Sequence, residues 1–255
     1  MAFEVAGDVV AWLCLAAFVA GLIDSIAGGG GLITIPALLL AGAPPVETLA
    51  TNKLQSCFGS GTAAVTYARA GHVVLRRQVA MACGAALAAA GGAGLTHLVP
   101  EGYLRLVLPV ILIVIAAFFA LRRDLSDMDR AERLRPLAFT LLVVLPVAAY
   151  DGFFGPGTGS FLVLGFVLLA GHGVLRATAH AKLLNFASNA GALAVFVLSG
   201  NVWWAVGLLM AAGQALGAML GARLAMRSGA RLIRPLLVAT CLAMALRLIW
   251  QGWQG

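Results

Sequence analysis

Ten apolar segments make up almost the whole of this sequence, and few charges interrupt them. Five fall in the first half, over residues 5–23, 32–43, 46–68, 79–99 and 103–121. Five fall in the second, over residues 137–150, 161–171, 174–199, 202–224 and 232–250. Hydrophobic residues form 62% of the chain and charged ones 11%, with a mean hydropathy of +0.98. Soluble domains carry roughly 25% charged and 45–50% apolar residues. A soluble all-α core would need helices with one polar face, which these segments do not show. The expected fold is an all-α integral membrane protein of eight to ten helices, with the lipid bilayer as its solvent.

The second constraint is a pair of breaks. Asp24 is followed by Gly28, Gly29, Gly30 and Gly31; Asp151 is followed by Gly155, Gly157, Thr158 and Gly159. Four consecutive glycines cannot hold a helix, because each costs about 1 kcal/mol relative to alanine. In lipid, opened backbone persists only where it is buried in protein or lines a polar cavity. Paired breaks in the two halves of a membrane protein point to a transporter's binding site. The segment after each break has about 12 residues, or ~18 Å of helix, against a hydrocarbon core of ~30 Å. Extending the glycines at ~3.3 Å per residue supplies the difference. The expectation is an extended glycine strand leading into a half-helix. Re-entrant segments would instead lower the crossings to eight and remove the inversion argued next.

The halves read as repeats. Asp24 matches Asp151, Gly28 matches Gly155, Gly30 matches Gly157, Lys53 matches Lys182 and Gly71 matches Gly200. The basic loops swap between them. Arg69, Arg76 and Arg77 follow the third segment, whereas the equivalent loop at Gly200 and Asn201 is uncharged. After the fourth segment the first half has Glu101 and Arg105, and the second has Arg223, Arg227, Arg231 and Arg234. An inverted repeat with basic loops inside predicts this swap. The expected organisation is a first repeat over residues 1–121, a charged cytoplasmic linker over 122–135 and a second repeat over 136–255, with both termini outside. The net charge of +7 thus belongs to membrane topology and not to nucleic acid.

A half-helix starting at Gly31 or Leu32 leaves its first N–H groups unpaired, with about +0.5 charge at that end. This is an anion site, and glycine lets a ligand come close to the backbone. Thr158 and Ser160 add hydroxyls at the second break. Lys53 lies in Thr51-Asn52-Lys53 and Lys182 in His180-Ala181-Lys182. A lysine at the centre of a membrane helix costs at least ~2.5–3.5 kcal/mol and marks function, unless it snorkels to the surface. Lys182, Asn185 and Asn189 share one helix face, which can bind substrate or join helices by hydrogen bonds. Asp24 and Asp151, with His180, can cap the half-helices, bind a coupling proton or cation, or satisfy opened amides. Gly213, Gly217 and Gly221, spaced every four residues, read as helix packing. Cys14, Cys57, Cys83 and Cys241 form no Cys-x-x-Cys pair, and the four histidines form no i,i+4 pair. No metal, cofactor or enzymatic nucleophile–base set is expected.

Asp24, Ala27 and Gly28 to Gly31, with Pro36, Gly42, Ala50-Thr51-Asn52-Lys53 and Gly155-Pro156-Gly157-Thr158-Gly159, resemble the sulfite exporter TauE/SafE family of bacterial membrane permeases. The resemblance implies a duplicated helical transporter in the plasma (inner) membrane, handling sulfite or organosulfur anions such as sulfonates. It carries over to the glycine motifs and to Thr51, Asn52 and Lys53; the second half departs from it, with His180-Ala181-Lys182 in place of a Thr-Asn-Lys. The resulting expectation is a secondary transporter of a small anion bound between the breaks and neutralised by Lys53 and Lys182, with one repeat rocking against the other. Export is the direction an uncoupled anion takes across an inside-negative membrane, by ~2.3 kcal/mol per charge per 100 mV. The alternatives are an anion channel and a non-transporting membrane subunit or enzyme.

Overall fold

The computed structural model describes residues 7–96, 129, 131–229, 231–233, 235, 236 and 239. The expected segment at 103–121, most of that at 232–250 and most of the linker lie outside the described residues. Among the described residues every regular element is helical. The first half contains α1 (Gly7–Ala27), the short α2 (Gly31–Leu40), α3 (Pro45–Arg69) and, after a tight 3-10 turn at Leu75–Gln78, α4 (Val79–Thr96). The second contains α5 (Pro136–Phe153), the short α6 (Thr158–Leu168), α7 (Val174–Leu198) and α8 (Trp204–Ser228). Within α5, Pro146 cannot donate an N–H to the preceding turn, and the helix widens to a π turn over Thr140–Val144.

Five of these helices, α1, α4, α5, α7 and α8, are long and apolar enough to cross a membrane. Their outward faces carry leucines such as Leu87 (75% exposed), Leu142 (67%) and Leu198 (88%), as a lipid-facing surface requires. Helix α3 has the length, 25 residues or about 37 Å, but a more polar composition. Its Thr48, Thr51, Asn52, Lys53, Gln55 and Ser60 are all buried, so its polarity faces protein. The protein is an all-α integral membrane protein.

Glycines set the helix contacts. Gly213 lies against Cys14 and Phe18, Gly217 against Phe18 and Leu22, and Gly221 against Leu22 and Ser25. The numbers rise together, so α1 and α8 run in the same direction. A Cβ on Gly217 would sit 2.0 Å from the Phe18 carbonyl oxygen, which keeps the two backbones in contact. By the same reading α4 runs with α5, through Gly84 on Leu145 and Gly92 on Ala149 and Phe153. Likewise α3 runs with α8, through Leu54 on Gly207 and Gly59 on Gln214. The short loop between α3 and α4 reverses the chain, so α1, α3 and α8 oppose α4 and α5.

These contacts sort the helices into two bundles. One holds α1, α2, α3 and α8; the other holds α4, α5, α6 and α7. The fourth helix of each half is exchanged into the other half's bundle. The bundles meet chiefly along α3 and α7, where the Phe186 ring covers Gly61.

The short helices turn back beside the helices they follow. Gly30 lies against Ala20 and Asp24, and Ala37, Leu38 and Ala43 join one apolar cluster with Leu13 and Ala17. In the second half Gly165 lies against Val143 and Phe139, and the Phe139 and Phe166 rings are 4.8 Å apart. The expected extended glycine strand is not formed. Helix α1 continues to Ala27, Gly28 N–H donates to Asp24 O at 2.8 Å, and Leu32 N–H already donates to Gly29 O at 3.0 Å. A compact turn pairs amides that an extended strand would leave open in an apolar surrounding.

Candidate functional site

The two breaks touch. Gly28 has φ +86°, and a Cβ there would sit 2.4 Å from the Ser160 amide nitrogen; only glycine combines that conformation with that approach. Ser160 Oγ donates to Ala27 O at 2.8 Å, tying the start of α6 to the end of α1. Gly155, at φ +98°, faces Lys53, whose Nζ would be 2.6 Å from a Cβ.

Both lysines are buried, Lys53 at 1% and Lys182 at 0% exposure, so neither snorkels. Each is paired across the bundle interface with an aspartate of the other half. Lys53 Nζ lies 2.7 Å from Asp151 Oδ1 and Lys182 Nζ 2.8 Å from Asp24 Oδ2. Buried charges persist only when paired and hydrogen-bonded, and both carboxylates have further donors. Asp24 Oδ1 accepts the Gly30 N–H at 3.1 Å, so it pairs an amide at the start of α2. Asp151 accepts the Thr158 hydroxyl at 2.9 Å and the Ser188 hydroxyl on its other oxygen. Two ammonium groups and two carboxylates leave the centre neutral. Among the described residues each ammonium donates to a single acceptor, out of three N–H groups.

Beside these pairs a small polar cavity opens between the bundles. From one bundle come Asp24, Gly29, Gly30, Gly31, Asn52 and Ser56; from the other come Asp151, Gly155, Gly157, Thr158, Gly159, Asn185 and Asn189. Among the described residues the N–H groups of Gly29, Gly31, Gly157 and Gly159 donate to no acceptor. They cluster where α2 and α6 begin, so both positive helix ends face the same space. These amides give the cavity partial positive charge, while the charged side chains that line it are the carboxylates of Asp24 and Asp151.

The structure therefore gathers most of the residues singled out in the sequence. Gly28 packs behind the cavity, and Lys53 and Lys182 lie against the glycines without lining it. Thr51 faces α8, where it accepts the Trp203 N–H at 3.1 Å. His180 sits apart from the cavity, its ring 4.7 Å from that of His172. Asn52 accepts the Thr34 hydroxyl at 2.6 Å and so joins α3 to α2, whereas the Asn189 amide donates to Asn185 O at 2.7 Å within α7. Ser188 was not anticipated: it is one of many small residues on α7, and only the fold aims it at Asp151. Asp129, in the linker, accepts the Gly173 N–H at 2.6 Å and pairs with Arg176 at 2.7 Å. The Gly173 amide, with Arg176 beside it, holds the Asp129 carboxyl below the usual carboxylate range. The linker is thereby anchored to the start of α7.

The family described as sulfite exporter TauE/SafE matches residues 13–248. A relative from Sinorhizobium sp, "Probable membrane transporter protein ORF9", is 55% identical over 246 residues, covering 96% of this chain and 94% of its own. "Probable membrane transporter protein YfcA" of Escherichia coli is 45% identical over 240 residues, or 94% and 89% of the two chains. A "Probable membrane transporter protein" of Haemophilus influenzae is 43% identical over 247 residues, or 96% and 97%. No solved structure matches. With family and relatives aligned over nearly its whole length, this chain belongs to the sulfite exporter TauE/SafE family and is a multi-pass membrane transporter.

Proposed function

We propose that the protein is a secondary transporter of a small sulfur oxyanion, sulfite or an organosulfonate, held in the cavity between the two bundles. The observation that carries this reading is the convergence of unpaired glycine amides from both half-helices on one polar space. The family's name supports a sulfur anion. The two lysines assist through N–H groups left over from their aspartate pairs; they do not supply an uncompensated charge, because Asp24 and Asp151 already cancel them.

The opposed directions of α1 and α5 support an inverted repeat of residues 1–121 and 136–255. With the linker and the basic loops in the cytoplasm, the protein lies in the inner membrane with both termini outside. An uncoupled anion would then leave the cell down the membrane potential. Alternating access follows from motion of one bundle against the other. The moving bodies are not the sequence repeats, because α4 and α8 are exchanged between them.

Labelled sulfite flux into proteoliposomes tests the reading. Gly31→Ala is the informative variant: its Cβ would have no neighbour closer than 3.5 Å, so the fold accepts it, yet the methyl stands over the cavity. Saturable flux with counterflow is expected from the native chain, and at least about a tenfold higher KM from Gly31→Ala, near 1.4 kcal/mol of lost binding. Gly91→Ala, with nothing within 4 Å, should leave flux unchanged. Equal kinetics in all three chains would remove the anion from this site.

A further inference from the structure

We propose that Asp24 takes up one proton with each anion that binds, while Asp151 stays ionised as the fixed partner of Lys53. This rests on the anion-site reading above and adds what must accompany the anion. The titratable groups in the site are Asp24 from α1 and Asp151 from α5; beside it lie Lys53 and Cys57 from α3, Tyr150 from α5 and Lys182 from α7. Tyr67 of α3 reaches Ser25 O beside Asp24. Helices α2 and α6 contribute none, and α8 presents the neutral Gln214.

With both pairs formed the charges cancel. A monoanion would add a full negative charge to a centre whose side-chain charges already cancel, offset only by the partial charges at the starts of α2 and α6, and incompletely paired charge between buried groups is disfavoured. One proton on one carboxylate restores neutrality and releases an ammonium to the anion.

The two pairs match across the repeats but are not equal. Asp151 accepts from Lys53 and Ser188 and shares the Thr158 hydroxyl proton with the Gly155 carbonyl. Asp24 accepts from two groups, Gly30 N–H and Lys182. The Asp24 side chain is 11% exposed and the Asp151 side chain 2%. A proton arriving on Asp24 Oδ2 displaces only Lys182, whose ammonium lies behind Gly159 at the edge of the cavity. The carboxylate becomes a carboxylic acid, Lys182 stays an ammonium, and the anion takes the carboxylate's place beside it. On release the proton leaves to the same side as the anion. A cycle of one proton with one monoanion moves no net charge. The membrane potential that favours export of a bare anion then drops out, and the pH gradient sets the direction, toward the alkaline side.

The experiment uses proteoliposomes of the full chain with a pH-sensitive dye inside, labelled sulfite outside at a mildly acid pH where it is a monoanion, and an imposed potassium diffusion potential. One pH unit, acid outside, should sustain about tenfold sulfite accumulation, with matching internal acidification and no response to the potential. Asp24→Asn leaves Lys182 without a counter-charge, so sulfite should enter without a proton: accumulation should lose its pH dependence and follow the potential. The dye and potential measurements on the native chain decide the coupling even if that variant does not fold. Saturable native flux that follows the potential and ignores the pH gradient would overturn the coupling and leave the anion site standing. Loss of pH dependence in Asp151→Asn but not in Asp24→Asn would overturn the assignment to Asp24. No native flux of sulfite, a sulfonate or a carboxylate would overturn the site and the coupling together.

Discussion

At the scale of single residues, the centre of the protein is two lysines whose charges are spoken for. Each meets an aspartate in a different half of the chain, 98 residues away for Lys53 and 158 for Lys182. A buried pair adds little net stability, but removing one partner strands the other in a medium that cannot solvate it. Lys53→Ala is therefore expected to lower stability by about 3–5 kcal/mol, because Asp151 would be left buried without its counter-charge and with only hydroxyl donors. Lys53→Met combined with Asp151→Leu should recover most of that loss. Thermal unfolding of the two proteins in detergent checks this; equal destabilisation by the single and double changes would mean that the pair matters through shape and not charge. The lysines themselves were conspicuous in the sequence. Their aspartates were visible too, but as caps or coupling groups, since nothing local in the chain joins Asp151 to Lys53.

At the scale of elements, the glycine breaks matter by what they touch. Gly28 and Gly42 have nearly the same conformation, φ +86° and +87°, so alanine strains the backbone at both by on the order of 1 kcal/mol. Only Gly28 is crowded: its Cβ would meet Ser160 N, whereas Gly42 has nothing within 4 Å. Gly28→Ala should push α6 away from α1 and abolish sulfite flux, while Gly42→Ala should keep flux near the native rate and lower the melting temperature slightly. Flux surviving in Gly28→Ala would show that the contact between breaks is dispensable. The positions of these breaks, and of α2 and α6 after them, were legible because a glycine run cannot continue a helix. Their compact shape was not. Four glycines permit a tight turn as readily as an extended strand, and the amide pairing in the packed protein selects the turn.

At the scale of the whole molecule, the exchange of α4 and α8 redraws the mechanical parts. Gly84 and Leu145 belong to different repeats but to one bundle, and a Cβ at 84 would lie 3.1 Å from Leu145 Cδ2. In a chain with its four native cysteines replaced, a disulfide between Gly84→Cys and Leu145→Cys should leave sulfite transport intact. One between Gly61→Cys and Phe186→Cys, across the α3–α7 interface, should stop it until reduced. Transport blocked by the first crosslink would return the motion to the repeats themselves.

The sequence by itself determined the solvent this protein lives in, the places where its helices run and break, and the polar residues it could not afford to leave facing lipid. Those follow from composition along the chain, because apolar length and glycine runs act locally. Only the tertiary structure decided which helices lie together, which way the half-helices turn and which carboxylate answers which lysine. Hydrophobicity is non-directional: lipid-facing leucines tell a helix to enter the membrane without naming its neighbour. The neighbours are chosen by close contacts such as Gly217 on Phe18 and by charges that must find partners far along the chain.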